Sequence, residues 1–149
     1  MWNGKKSISL SKLCVLVFTF MLIGTALSAP WLVRRFLDFS RADLMGKEIF
    51  FLLTIYSGSI PAAILLFCLY RLLHHIELEQ VFIAANVEYL RRISWSCFAG
   101  AIICFASIPY YFPWTFVAVA AAFMGLIVRV IKNVIAQAVE LKNESELTI

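Results

Sequence analysis

Long uncharged, apolar runs alternate with short polar segments along the whole chain. No residue between Lys12 and Arg34 carries a charge, and positions 13–33 are rich in Leu, Val, Phe and Ile, close to the ~20 residues that a helix needs to cross the hydrocarbon layer. A second such run covers 49–70 and a third 93–111. A fourth starts at Trp114, stays uncharged to Val128 and continues as a helical pattern, so it is placed at 114–131. The third and fourth are separated by Tyr110-Tyr111-Phe112-Pro113, with prolines at 109 and 113, and so form a tight helical hairpin. The pattern predicts an all-α membrane protein. Its single domain over 1–149 is a four-transmembrane-helix bundle with an amphipathic cytoplasmic helical loop at 71–92 and a cytoplasmic helix extension and tail at 132–149.

Charge sets the expected orientation. One side of this alternation holds Lys5, Lys6, Lys12, Arg71, Arg91, Arg92, Arg129, Lys132 and Lys142. The other holds Arg34, Arg35, Arg41 and Lys47, offset by Asp38, Asp43 and Glu48. Basic residues gather on the cytoplasmic side, which places both termini in the cytoplasm. Trp31, Tyr110, Tyr111 and Trp114 fall at the outer boundary, and Tyr70 and Trp95 at the inner one, where amphipathic rings prefer to sit. The first run also has the outline of a secretory signal peptide, with Lys5 and Lys6, an apolar stretch and Ala26-Leu27-Ser28. It exceeds the usual ~7–15 apolar residues, and Trp31-Leu32-Val33 extends it past the scission point, so it is read as a retained span.

Composition removes several classes of function. The chain is 62% hydrophobic and 15% charged with a mean hydropathy of +0.89, against about 45–50% and 25% in soluble domains, so a soluble globule is excluded. The net charge of +4 is accounted for by topology, and no direct nucleic-acid binding is expected. Away from their ends the runs contain no Asp, Glu, Lys, Arg or His, which proton relays and coupled pumps need. Pro61 reads as the one proline interior to a span and as a kink. Ser96, Gly100 and Cys104, like Ala118 with Ala122 and Ala121 with Gly125, recur every fourth residue, a spacing that lets helices pack closely. This favours a packed bundle, with a homo-oligomeric seam as the alternative. Cys14, Cys68, Cys97 and Cys104 form no C-x-x-C and read as small apolar packers. His74 and His75 point about 100° apart on a helix and do not make a chelating pair with Glu77 and Glu79. With no phosphate loop, nucleophile elbow or H-E-x-x-H, the chain is expected to be neither an enzyme nor a holder of a metal or cofactor.

The cytoplasmic segments carry the remaining information. In 71–92, Ile76, Ile83, Val87 and Leu90 are spaced as an apolar stripe, either lying on lipid with Arg91 and Arg92 at anionic headgroups or forming a docking surface. In the fourth helix, Ile127, Val130 or Ile131, Val134, Ala138 and Leu141 continue one face past the membrane. Arg129, Lys132, Gln137 and Glu140 face elsewhere. The tail 143–149 ends acidic and then apolar, as a frayed terminus or as a peptide for a partner's groove.

Two stretches here carry a family resemblance. Val81-Phe82-Ile83 followed by Asn86-Val87-Glu88-Tyr89-Leu90-Arg91-Arg92-Ile93-Ser94-Trp95-Ser96-Cys97-Phe98 resembles the central motif of the bacterial membrane proteins grouped as domain of unknown function 2975, the YoaS-like family. Arg129-Val130-Ile131-Lys132-Asn133-Val134-Ile135, then Gln137-Ala138-Val139-Glu140-Leu141-Lys142 and the closing Glu144-Ser145-Glu146-Leu147-Thr148-Ile149, is similar to its C-terminal signature. The resemblance implies a four-span protein of the bacterial cell membrane, often encoded beside a small helix-turn-helix regulator, and no catalytic residues. The leading expectation is thus a small inner-membrane regulatory protein that holds a cytoplasmic DNA-binding regulator through Asn86, Tyr89, Arg91, Arg92, Lys132, Glu140, Leu147 and Ile149. The alternatives are a transport, immunity or lipid- or peptide-handling protein acting within the bilayer, with Pro61 and the Tyr110-Tyr111 hairpin shaping a groove, and a structural assembly subunit.

Overall fold

The computed structural model describes residues 4–39 and 46–147. Four helices account for nearly all of them: α1 Gly4–Phe39, α2 Glu48–Glu77, α3 Ala84–Ala106 and α4 Trp114–Leu147, with no strand among the described residues. At 1.5 Å per residue α1, α2 and α4 rise about 54, 45 and 51 Å, well beyond the ~30 Å hydrocarbon layer. Each contains an apolar stretch long enough to cross it. By length and composition these three qualify as spans and α3 does not. Glu88, Arg91 and Arg92 occupy the first turns of α3, and its uncharged part, Ile93 to Ala106, rises only about 21 Å. The helix stops at Ala106, short of the expected Tyr111, because Pro109 lacks the N–H for another turn and disfavours helical backbone just before itself. The hairpin is therefore a longer turn, Ser107–Pro113, closed by the Tyr111 N–H donating to the Ile108 carbonyl and the Trp114 N–H to that of Tyr111.

Packing explains why α3 tolerates a less apolar surface. The helices approach one another only in sequence order, α1 on α2, α2 on α3 and α3 on α4. α3, like α2, has a close neighbour on each of two sides, and it buries Asn86, Leu90, Ile93, Ser94, Ser96, Cys97 and Ala101, whereas α2 buries Phe51, Thr54, Cys68 and Leu72 and α4 only Ala118 and Gly125. Polar side chains on α3 are covered by protein and find partners there, as the Ser94 hydroxyl does by donating to the Gly125 carbonyl of α4 at 3.0 Å. The four helices form an open row, since α1 and α4 make no close backbone approach among the described residues. The core divides accordingly. Cys68, Leu72, Leu90, Ile93 and Cys97 gather at one end with Val128 and Ile135 of α4, and Val33 and Phe51 gather at the other with Tyr110, Tyr111 and Trp114. Between the two clusters a cavity of about 270 Å³ opens, bordered by Leu22 of α1, Thr54 and Ser59 of α2, Gly100 and Cys104 of α3 and Val117 of α4.

The small residues act differently from their spacing. A Cβ on Gly100 would meet nothing within 4 Å, so the Ser96, Gly100, Cys104 row is not a tight seam. A Cβ on Gly125 would lie 2.9 Å from Phe98 Cε1 and 3.2 Å from Cys97 Cβ. Close approach of α3 and α4 is thus set at Gly125, one side of which the Ser94 hydrogen bond fixes.

Pro30 is a second proline inside a helix, which the reading of Pro61 as the one interior proline omits: α1 runs through it to Phe39. Its ring leaves the carbonyl of Ala26 without an intrahelical donor, and the Tyr56 hydroxyl of α2 donates to that carbonyl at 3.1 Å. Ion pairs clamp both ends of the α1–α2 pair, Lys12 Nζ to Glu77 Oε2 at 2.7 Å and Arg34 Nε to Glu48 Oε1 at 3.1 Å. Residues assigned from charge to the same side of the membrane therefore lie at the same end of the molecule.

Gly125→Ala is expected to lower the stability of the detergent-solubilised protein by about 1–3 kcal/mol, the range for overpacking. Gly100→Ala is expected to be neutral or slightly stabilising, since a helix-interior glycine costs about 0.5–1 kcal/mol relative to alanine. Thermal unfolding of the two variants checks this, and equal effects would contradict the assigned contact.

Candidate functional site at the basic end

The end of the molecule where α2 stops and α3 begins carries most of the basic residues and all but one of the expected site residues. α2 ends in two turns rich in histidine, His74 and His75, whose position suits the negative end of a helix dipole. The chain then reverses through Leu78–Ile83. The Gln80 N–H donates to the His75 carbonyl at 2.9 Å and the Glu79 N–H to that of Ile76 at 3.0 Å, the paired bonds of a Schellman cap. Its left-handed position, usually glycine, is filled by Glu79 with φ 64°.

Asn86 locks this reversal. It is 1% exposed, among the largest fully buried side chains of the described residues. Its Nδ2 donates to the carbonyls of Gln80 and Val81, both at 2.8 Å, and its Oδ1 lies 3.0 Å from His75 Nδ1. Because both amide hydrogens face carbonyls, the oxygen must face the imidazole, so His75 carries a proton on Nδ1 and donates it. The Tyr89 ring lies 5.6 Å from that of His75 and packs on the core cluster with Ile76.

This geometry corrects the expected loop. The segment 71–92 is not a separate amphipathic helix. Residues up to Glu77 extend α2, residues from Ala84 begin α3, and the turn between them is short. Of the expected stripe, Ile76 and Leu90 pack on the core cluster between the two helices, which removes their apolar surface from water, while Ile83 and Val87 are half-buried. Asn86, expected at a partner contact, is buried with its amide bonded within its own turn, and Tyr89 is half-buried in the same unit.

The remaining site residues divide. Arg91 and Arg92 are each 55% exposed and share the Glu88 carboxylate at 3.5 and 3.6 Å. They flank a groove of about 480 Å³ between α2 and α3. Lys132 is half-buried and Glu140 exposed on α4. Past Ile135, the last α4 residue packed on the core cluster, that helix runs on to Leu147 with Leu141 65% and Leu147 85% exposed. Ile149 lies outside the described residues. The structure thus brings Asn86, Tyr89, Arg91 and Arg92 to one turn, and leaves Glu140 and Leu147 farther out along α4.

The opposite end holds a polar cluster that the sequence reading missed. The hydroxyls of Thr54 and Ser107 are 2.7 Å apart, Tyr110 meets Thr54, and the Tyr110 hydroxyl donates to the Phe50 carbonyl at 3.2 Å. Hydroxyls scattered over 54, 107 and 110 have no shared periodicity, and only the hairpin joins them. Nearby, Trp114 Nε1 and Thr115 Oγ1 are buried without a partner. Among the described residues no three His, Cys, Asp or Glu side chains are grouped to hold a metal ion, and the four cysteines are free thiols, with Cys68 and Cys97 buried.

Asn86→Ala leaves two carbonyls and an imidazole without their partner and is expected to cost about 2–3 kcal/mol, given about 1–3 kcal/mol for an unsatisfied buried group. Glu79→Gly relieves the left-handed backbone and is expected to raise stability by about 0.5–1 kcal/mol. Opposite shifts of the unfolding midpoint in detergent check both, and a neutral Asn86→Ala would remove the lock.

No curated protein and no solved structure matches the chain. The model of the family described as Protein of unknown function (DUF2975) matches residues 11–149, a range that takes in α2, the Asn86 turn, α3 and the whole of α4. The chain belongs to the DUF2975 family.

Proposed function

We propose that the protein crosses the bacterial cell membrane four times with both termini in the cytoplasm, and that it is a non-enzymatic regulatory protein docking a soluble partner, such as a small helix-turn-helix regulator, on its α4 extension. The observation that carries this reading is the end of α4 beyond the core cluster. Val130, Val134 and Leu141 are 60–65% exposed on one helical face, the face continues past the last contact with the core, and it ends on exposed Leu147. An apolar helical stripe at i, i+4 and i+11 is a form that fits a partner's groove. Nine basic residues in the segments assigned to the cytoplasm against four in the outer loop support the orientation. The short uncharged length of α3 is compatible with a crossing because α2 and α4 cover its flanks, so its own surface need not meet lipid all round.

The lipid- or peptide-handling reading has one observation in its favour, the cavity of about 270 Å³ where α1 and α4 stand apart. Its lining is almost wholly apolar, with Thr25, Thr54 and Ser59 among the hydroxyls.

Two measurements test the leading reading. In a variant without native cysteines, Phe112→Cys in intact cells is expected to react with a membrane-impermeant maleimide and Glu79→Cys only after permeabilisation; the reverse pattern would overturn the orientation. The intact protein solubilised from its host is expected to retain a stoichiometric small DNA-binding protein, and Val134→Asp with Leu141→Asp to reduce that retention at least about tenfold, consistent with loss of an apolar anchor. Retention of lipid or membrane proteins alone, or unchanged retention in the variant, would contradict it.

A further inference from the structure

The groove beside Arg91 and Arg92 joins two kinds of surface. Its basic end has two guanidinium groups and one carboxylate, Glu88, which both arginines share at distances beyond a direct hydrogen bond. One positive charge is left uncompensated there. From that charge the groove runs between α2 and α3 along Ile60, Pro61, Ile64 and Ala99, with Trp95 and Ser96 on its wall. Arg91 and Ala99 are eight residues apart on one helix, so the apolar part extends about 12 Å from the charged part along the direction of the spans. Trp95 is 62% exposed and lies about one helical turn beyond Arg91, as rings do at the boundary between headgroups and chains.

We propose that this groove binds one anionic phospholipid, its phosphate on Arg91 and Arg92 and an acyl chain along Ile60, Pro61, Ile64 and Ala99. Charge decides the headgroup. A monoanionic phosphodiester such as phosphatidylglycerol neutralises the excess positive charge, whereas a zwitterionic lipid brings a second cation beside the two arginines. The apolar length decides the source, because inorganic phosphate would fill only the mouth and leave Ile60, Pro61 and Ile64 uncovered. Basic pockets between helices at the cytoplasmic boundary bind anionic headgroups in this way. The inference rests on the membrane placement above and is independent of any soluble partner.

Native mass spectrometry of the full-length protein in detergent, loaded from an equal mixture of phosphatidylglycerol and phosphatidylcholine, tests it. The wild type is expected to retain one phosphatidylglycerol in preference to phosphatidylcholine by at least about fivefold, the order of effect one arginine has near an anionic surface. Arg91→Gln with Arg92→Gln is expected to abolish the preference, and Arg34→Gln with Arg35→Gln, at the other end, to keep it. Ile64→Trp fills the apolar part while sparing both arginines, and is expected to remove the retained lipid without unfolding the protein. Equal retention of the two lipids, a preference that survives loss of both arginines, retention unaffected by Ile64→Trp, or full displacement by inorganic phosphate would each overturn the proposal. The maleimide pattern at Phe112→Cys and Glu79→Cys separately shows whether the membrane placement has failed instead.

Discussion

The reversal between α2 and α3 is the constraint on which the rest of the molecule depends. α2 and α3 are the two inner helices of the row, and the reversal joins them, holding α3 against α2 on one side while its other side takes α4. A buried asparagine with every polar hydrogen committed makes that hold specific, because an amide can satisfy two carbonyls and an imidazole in only one arrangement. Once α3 is placed, Ser94 and the bare backbone of Gly125 determine where α4 crosses. α1 is then attached through α2 alone, with an ion pair at each end and a tyrosine hydroxyl on the carbonyl that Pro30 leaves open.

This arrangement accounts for the uneven apolarity of the four helices. A helix surrounded by lipid must be apolar on all sides, whereas one between two neighbours can bury serines and cysteines against them. α1 and α4 have one neighbour each and expose long rows of Leu, Phe and Val; α2 and α3 have two each, and α3, which buries more of its side chains, carries the polar residues. The open side of the row, between α1 and α4, leaves the central cavity, and the α2–α3 side leaves the groove beside the arginines.

Much of this was legible in the sequence, since uncharged runs bounded by Lys and Arg locate helices by a rule that does not depend on tertiary contacts. The helix starts at Glu48 and Trp114 agree with it closely. What was not legible depends on neighbours. Gly100 and Gly125 share the same local pattern, yet only Gly125 meets another helix, and no spacing rule separates them. The stripe at Ile76 and Leu90 has the period of a surface helix, and becomes interior only because a six-residue turn folds its two halves together. Asn86, polar and next to a basic pair, looks like a contact residue until its partners, the Gln80 and Val81 carbonyls, are seen to be its own turn.

The central claim is that α3 is packed on both flanks and that α4 runs on past the core cluster. Hydrogen–deuterium exchange of the intact protein in lipid nanodiscs, resolved by peptide, measures this directly. The amides of residues 90–101 are expected to exchange last in the chain, and those of residues 136–147 earliest among the helices. Exchange in α3 as fast as at the end of α4 would contradict the account, because a helix packed on two sides opens less readily than one that has run past the core cluster.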